Sequence, residues 1–423
     1  MISYNKFYIK SLIDILLSYY YRLTFLSRLN WLILQYRSNK YSNPAGAIPI
    51  RINRDKLLDV KNSINSRVDD LNLATLTKTN LNNKVFKNCI IVLPENFLNE
   101  DTHVGKGFFS PVNGLILMLK KNFSSVEIIP VVVNFGLDNK NNSQLSMESL
   151  MQSKNYKTED TFCILFSVTY LIQNCNIDKI TDYILKNKIY CIGYLTSTNK
   201  NPLATLIAVN KLNCINLMID YSGNSELNKI NSTDIPVTHI PWIPTSEIIL
   251  NNVSKISIAY SGLLKFNRGR WVVVTCALAK LYAIKISVRF YSWTAINKGL
   301  QKFVPRAELL DWFSNYSLGL VILCRSPEIN DGLIGSFWDV YHAGAVPLVQ
   351  FEGSDYFLAD YLLPYVDYLP FTSIEDLAVI LKLLQESPEI LNKLKNRNLL
   401  RRNTDLSKEN IGVFLANMIN NRR

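Results

Sequence analysis

A chain of 423 residues has room for two or three domains, and 48% hydrophobic residues supply a large core. Its net charge of +12 would suit nucleic acid, but the charge lies at the ends: nine Lys/Arg against three Asp in residues 1–60, and eight against two acids in residues 392–423, around a neutral middle. A nucleic-acid groove puts its basic residues on the folded core, so that partner is excluded; basic ends on a neutral core suit an anionic membrane surface or two solvated helices.

Within residues 5–37, Ile9, Leu12, Leu16, Tyr19, Leu23 and Leu26 recur at helical spacing and mark one apolar face. Lys10, Asp14, Arg22 and Arg28 interrupt the run, so it reads as neither a membrane span nor a cleavable signal. Such a face packs on the protein's own body or lies in a lipid interface. Residues 38–85 are polar, a linker and a loose helical stretch, so residues 1–85 form a helical N-terminal extension.

A regular alternation follows. Strands are expected at Cys89–Pro94, Val126–Phe135, Phe162–Tyr170, Tyr190–Leu195 and Cys214–Asp220, with helices at Ser110–Lys121, Asp178–Lys188 and Pro202–Lys211. Continuous apolar strands between helices imply a parallel sheet covered on both faces, so residues 86–235 make one Rossmann-like domain. Three prolines in PVTHIPWIP (Pro236–Pro244) break the pattern, which places an interdomain linker at 236–250. The alternation restarts with strands at Ile256–Tyr260, Ile286–Tyr291, Leu318–Cys324 and Val346–Phe351. Helices are expected at Trp271–Tyr282, Arg306–Asn315 and Phe337–Ala343. Residues 251–391 are then a second Rossmann-like domain, with helix from Ile374 onward and a basic C-terminal helix over 392–423. The fold class is α/β, with a ligand cleft at the carboxyl ends of the strands.

The seven Cys include no C-x-x-C pair and sit mostly in apolar strands. They imply reduced core thiols and a cytoplasmic protein, with no metal site at usual spacing. The sequons at Asn122, Asn141 and Asn231 are no more than this Asn-rich composition produces by chance. No P-loop, G-x-S-x-G elbow or His-Glu-x-x-His helix is present.

The most informative stretch is DGLIGSFWDVYHAGAVPLVQF, residues 331–351. Asp331 opens it, Gly332 and Gly335 make a turn, and a short helix carries Asp339 before stopping at Gly344. A helix N-terminus after a Gly-rich turn has unpaired N–H groups and partial positive charge, which suits a diphosphate. A carboxylate further along such a helix can accept from sugar hydroxyls. These parts describe a nucleotide-sugar pocket.

This arrangement resembles the C-terminal half of GT-B glycosyltransferases, built from two facing Rossmann-like domains. Many carry Glu, seven residues, Glu, then a helix ending in a small-Gly-x-Pro-hydrophobic strand; here the acids are Asp331 and Asp339, followed by AGAVPLVQ. DVYHAGAVPLV and YLLPYVDYLPFTSIEDLAVIL are also similar to exostosin-type and α-1,3-fucosyltransferase-type enzymes. The fucosyltransferase Glu-Lys pair is replaced by Gly335, Ser336 and Phe337. The resemblance covers about residues 255–391.

It implies a metal-independent transferase, needing no cofactor, that moves a sugar from a nucleotide-diphosphate sugar to a glycan or lipid-linked acceptor. A surface-polysaccharide role and a peripheral place on the inner face of the membrane would fit the basic ends. Donor phosphates would meet Gly262, Lys265, Arg268 and Arg270, with Arg270 helping the leaving group depart. Gly332, Gly335 and Ser336 would offer backbone N–H groups. Asp339 would hold the ribose, and Asp331 or Glu328 the donor sugar. Tyr291, Ser292, Trp293 and Val304 would line the base. The general base would come from the loop ENFLNEDTHVGKG, with Asp101 and His103 as candidates. His239 falls in the linker, and His342 reads as a packing or polar-surface residue. In GT-B proteins the final helix often crosses back to the first domain. Rival readings are a sugar-nucleotide epimerase or a non-catalytic binding or scaffold protein. The Asp-for-Glu acids favour the latter, and the two family hints leave retention or inversion open.

Overall fold

The computed structural model describes residues 52–68, 86–99, 105–133, 146–195, 207, 209–220, 235–241, 253, 255–262, 267–290, 304–326, 329–330, 335–351, 358–359 and 361–420. Two all-parallel sheets organise them. The first contains β1 (Asn88–Pro94), β2 (Ser125–Val131), β3 (Thr161–Phe166), β4 (Tyr190–Leu195), β5 (Leu217–Asp220) and β6 (Val237–His239) in the order β2-β1-β3-β4-β5-β6. The second contains β7 (Ser257–Gly262), β8 (Lys285–Phe290), β9 (Leu318–Ile322), β12 (Val346–Gln350) and β13 (Leu369–Phe371) in the order β13-β12-β9-β7-β8. Between β9 and β12 lies a small antiparallel hairpin, β10 (Cys324–Ser326) and β11 (Ile329–Asn330). The fold is thus the expected α/β pair of Rossmann-like sheets.

Both faces of the first sheet are covered, which is why its strands read as unbroken apolar runs. Cys89, Ile91 and Leu93 of β1 point one way, with Phe162 and Ile164 of β3. They meet the helix α1 at Gly105–Asn122 through Val112, Leu115 and Leu119. Ile90 and Val92 point the other way, onto α2 (Met147–Ser153), α3 (Val168–Asn174) and α4 (Asp178–Lys186). The second sheet has the same plan. Helix α5 (Asn267–Leu281) and α6 (Ile374–Glu386) cover one face. Helices α7 (Arg306–Ser314) and α8 (Gly335–His342) cover the other. Helix α8 ends at His342, and Gly344 just beyond it, with a φ of 86°, gives the left-handed stop that glycine accepts most readily.

The chain's ends are exchanged between the sheets. The helix α9, Arg54–Val68, precedes the first sheet in sequence but packs on the second, against α6 and the helix α10 at Pro388–Asn403. Ile64 and Val68 are buried there, Lys56 pairs with Asp376, and Arg67 donates to the Pro364 carbonyl at 3.0 Å. Conversely α11 (Lys408–Asn420) follows the second sheet and packs on α1 of the first. There Lys121 pairs with Glu409 at 2.9 Å and the Phe86 N–H donates to Asn420 at 3.0 Å.

Several expectations need correction. PVTHIPWIP is not all linker: Val237–His239 is the outermost strand of the first sheet, where an edge position tolerates flanking prolines. The strand expected over Phe162–Tyr170 stops at Phe166, and Ser167, at φ 56°, turns the chain into α3. The basic C-terminus is not a solvated or membrane-facing end throughout. Arg397, Arg401 and Arg402 are buried. Arg401 pairs with Asp367 at 3.0 Å and donates to the Tyr361 carbonyl; Arg402 donates to the Tyr341 carbonyl at 2.8 Å. Tyr341 and the Leu363 N–H also donate to Asp367. Burial pushes this carboxyl up, and Arg401 opposes the shift. The apolar face over residues 5–37 lies outside the described residues. Among the described residues, no helix is long and apolar enough to cross a membrane. Cys89, Cys163, Cys191, Cys214 and Cys276 are buried free thiols.

Candidate donor-binding site

In the second sheet β7 lies between β8 and β9; the connection from β7 to β8 runs over one face and that from β8 to β9 over the other. Helix α5 covers one face, while α7 and α8 cover the other. The carboxyl ends of β7 and β9 therefore flank the topological switch point, where doubly wound sheets bind ligands. Gly262 ends β7 there. Two helix N-termini follow the two strands to this edge: α5, after β7, and α8, after β9 and its hairpin. Each presents backbone N–H groups that its own helix leaves unbonded.

The sequence places Arg268 and Arg270 in a loop, with helix from Trp271. In the structure α5 begins at Asn267, so both arginines stand in its first turn. Arg268 is half-buried and Arg270 exposed. Gly335 and Ser336 form the first turn of α8. Side-chain cations and two positive helix ends thus gather at one edge of one sheet, an arrangement suited to an anion.

Asp339 lies one helical turn into α8. It does not stand open to the crevice: it is 8% exposed, and its carboxylate is 2.6 Å from Arg306 Nη2, on the first residue of α7. Burial pushes its pKa up, with the Arg306 guanidinium opposing. Val304, partly buried, stands two residues before Arg306. His342 is 4% exposed and stacks on Trp338 at 5.4 Å, the packing one of its two expected readings. His239 lies on β6 rather than in a linker, with Nδ1 3.2 Å from the Asp220 carbonyl and 3.6 Å from its carboxylate.

Of the expected site residues, Gly262, Arg268, Arg270, Gly335 and Ser336 come to the same sheet edge. Asp101, His103, Lys265, Tyr291, Trp293, Glu328, Asp331 and Gly332 lie outside the described residues. Arg306 was missed, because its link to Asp339 joins separate helices and leaves no mark in local spacing. The hairpin β10–β11 was missed too, its strands being three and two residues long.

No protein-family model and no curated protein matches this sequence. Distant structural likenesses exist. Anabaena HepE in complex with UDP is 9% identical, with 79% of this chain and 99% of that one covered and a TM-score of 0.47. The pneumococcal O-GlcNAc transferase GtfA, with UDP and GlcNAc, is 10% identical over 69% of this chain and 64% of that one, with a TM-score of 0.43. The spinosyn forosaminyltransferase SpnP is 12% identical over 79% and 99%, with a TM-score of 0.40. At this distance the likeness decides nothing about chemistry, and the functional reading rests on the site.

Proposed function

We propose that this chain is a GT-B-type glycosyltransferase that transfers a sugar from a nucleotide-diphosphate sugar to a glycan or lipid-linked acceptor. The observation that carries this reading is that α5 and α8 start after β7 and β9, at the same carboxyl edge of the second sheet, with Arg268 and Arg270 in the first turn of α5. A diphosphate seated there accepts backbone N–H bonds from Gly335 and Ser336. As the glycosidic bond to the donor breaks, negative charge grows on the departing diphosphate. Preorganised N–H dipoles and the Arg270 guanidinium stabilise that charge most where it is greatest, in the transition state. These cations would take the place of a metal ion. The acceptor and its general base fall to the first domain, where Asp101 and His103 remain the candidates. Attachment to an anionic membrane through the N-terminal basic segment is compatible with this reading; the buried arginines of α10 take no part in it.

The test is thermal stabilisation by UDP, GDP, ADP and CMP without added metal. One diphosphate should raise the melting temperature of the wild-type protein and identify the donor's nucleotide. No shift with any of them would remove the donor-site reading and favour a scaffold.

A further inference from the structure

The geometry points to Arg306, rather than Asp339, as the side chain that meets the nucleoside end of the donor, with Asp339 acting as a positioning residue through it. This rests on the donor-site reading above. A carboxylate that reads ribose must turn its oxygens to the hydroxyls. One oxygen of the Asp339 carboxylate instead faces a guanidinium at 2.6 Å, and the side chain is 11% exposed against 20% for Arg306. The arginine is the more accessible partner.

The place is right for a nucleoside contact. Arg306 opens α7, whose start follows the carboxyl edge of β8, and it stands two residues after Val304. Helices α7 and α8 pack side by side on the same face of the sheet. The pair therefore lies within about one helical turn of the edge where the helix N-termini gather. The chemistry differs from that of an acid. A guanidinium is a planar fork of N–H donors, not a pair of acceptors. It recognises oxygen acceptors, the base carbonyls and ribose oxygens of a nucleotide. Asp339, short and buried, fixes the fork's direction and balances its charge.

The experiment is calorimetric titration with whichever diphosphate of the UDP, GDP and ADP panel the wild type binds. The variants are Arg306→Lys, Arg306→Ala, Asp339→Asn and the double Arg306→Ala/Asp339→Asn, each with its ligand-free melting temperature. Lysine keeps a cation beside Asp339 but loses the fork, so Arg306→Lys should melt near wild type and bind about tenfold or more weakly. Asp339→Asn should weaken binding in the wild-type background and add nothing once Arg306 is alanine, because it acts through the arginine. The double variant leaves no orphan charge and keeps the comparison valid if Arg306→Ala alone folds poorly. Wild-type affinity in Arg306→Lys, or an equal cost of Asp339→Asn in both backgrounds, would overturn the inference while leaving the donor site standing. A wild type that binds none of the diphosphates would end both together.

Discussion

Gly319 occupies the point where β9 runs beneath α8. A Cβ there would lie 2.3 Å and 2.4 Å from the two terminal methyls of Val340, which is itself fully buried. Gly319→Ala should therefore push α8 off the sheet and cost about 1–3 kcal/mol of stability in denaturant unfolding, the range for overpacked cores. Because Gly335 and Ser336 open the same helix, the variant should also bind nucleotide less tightly. Val340→Ala removes both opposing methyls, so the double variant should recover part of the loss. No recovery would mean the strain lies elsewhere. Arg270 behaves in the opposite manner. It is exposed, so Arg270→Ala should leave stability within about 0.5 kcal/mol. If it stabilises the leaving diphosphate, turnover should fall on the order of 100-fold, as when one preorganised donor is removed from an active site. A loss of stability with turnover intact would make it a structural residue.

At the scale of elements, α9 shows how a helix with a poor apolar stripe is held by its partner. Its leading contact is Lys56 with Asp376, which also caps α6: Asp376 accepts from the Thr372 and Ser373 N–H groups while Ser373 accepts from the Asp376 N–H. Burial pushes the Asp376 carboxyl up, but Lys56 and the Thr372 and Ser373 hydrogen bonds outweigh it and hold the pKa well below the usual range. A depressed carboxyl favours the folded state above its unfolded pKa of about 3.9, and that contribution fades as pH falls from there through the folded value. Acidification below about pH 4 should therefore loosen α9 before the sheets melt, seen as early loss of amide protection over residues 54–68. Asp376→Asn should remove that pH step. The sequence displayed α9 only as a loose helical stretch, since no local pattern names a partner about 300 residues away. The parallel strands were legible because burial on both faces writes itself as unbroken apolar runs. Strand β6 was hidden by its prolines, which mark linkers and sheet edges alike. The first turn of α5 was hidden by two arginines and a glycine, which read as loop. The start of α8 was legible to within two residues, because a glycine turn is a local signal. The Arg306–Asp339 pair was not, because it is tertiary.

At the scale of the whole molecule, one hydrophobic cluster runs through both sheets. It joins Ile91, Leu93, Phe162 and Ile164 of the first sheet to Val321, Phe337, Tyr341 and Val349 of the second domain, and includes Ile411, Leu415 and Ile419 of α11. Helix α11 reaches the first sheet from the end of the second domain, as α9 reaches the second from ahead of the first. Two such exchanged helices tie the domains beside this shared cluster, so the chain should unfold as one cooperative unit. Leu415 is fully buried in this bridge. Leu415→Ala should cost about 2–5 kcal/mol, and the loss should fall on the link rather than on either sheet. Calorimetry should then resolve two transitions where the wild type gives one, and the nucleotide should still stabilise the transition of the second domain. A single transition moved down in temperature, with both domains melting together, would show instead that the shared cluster holds the domains without α11.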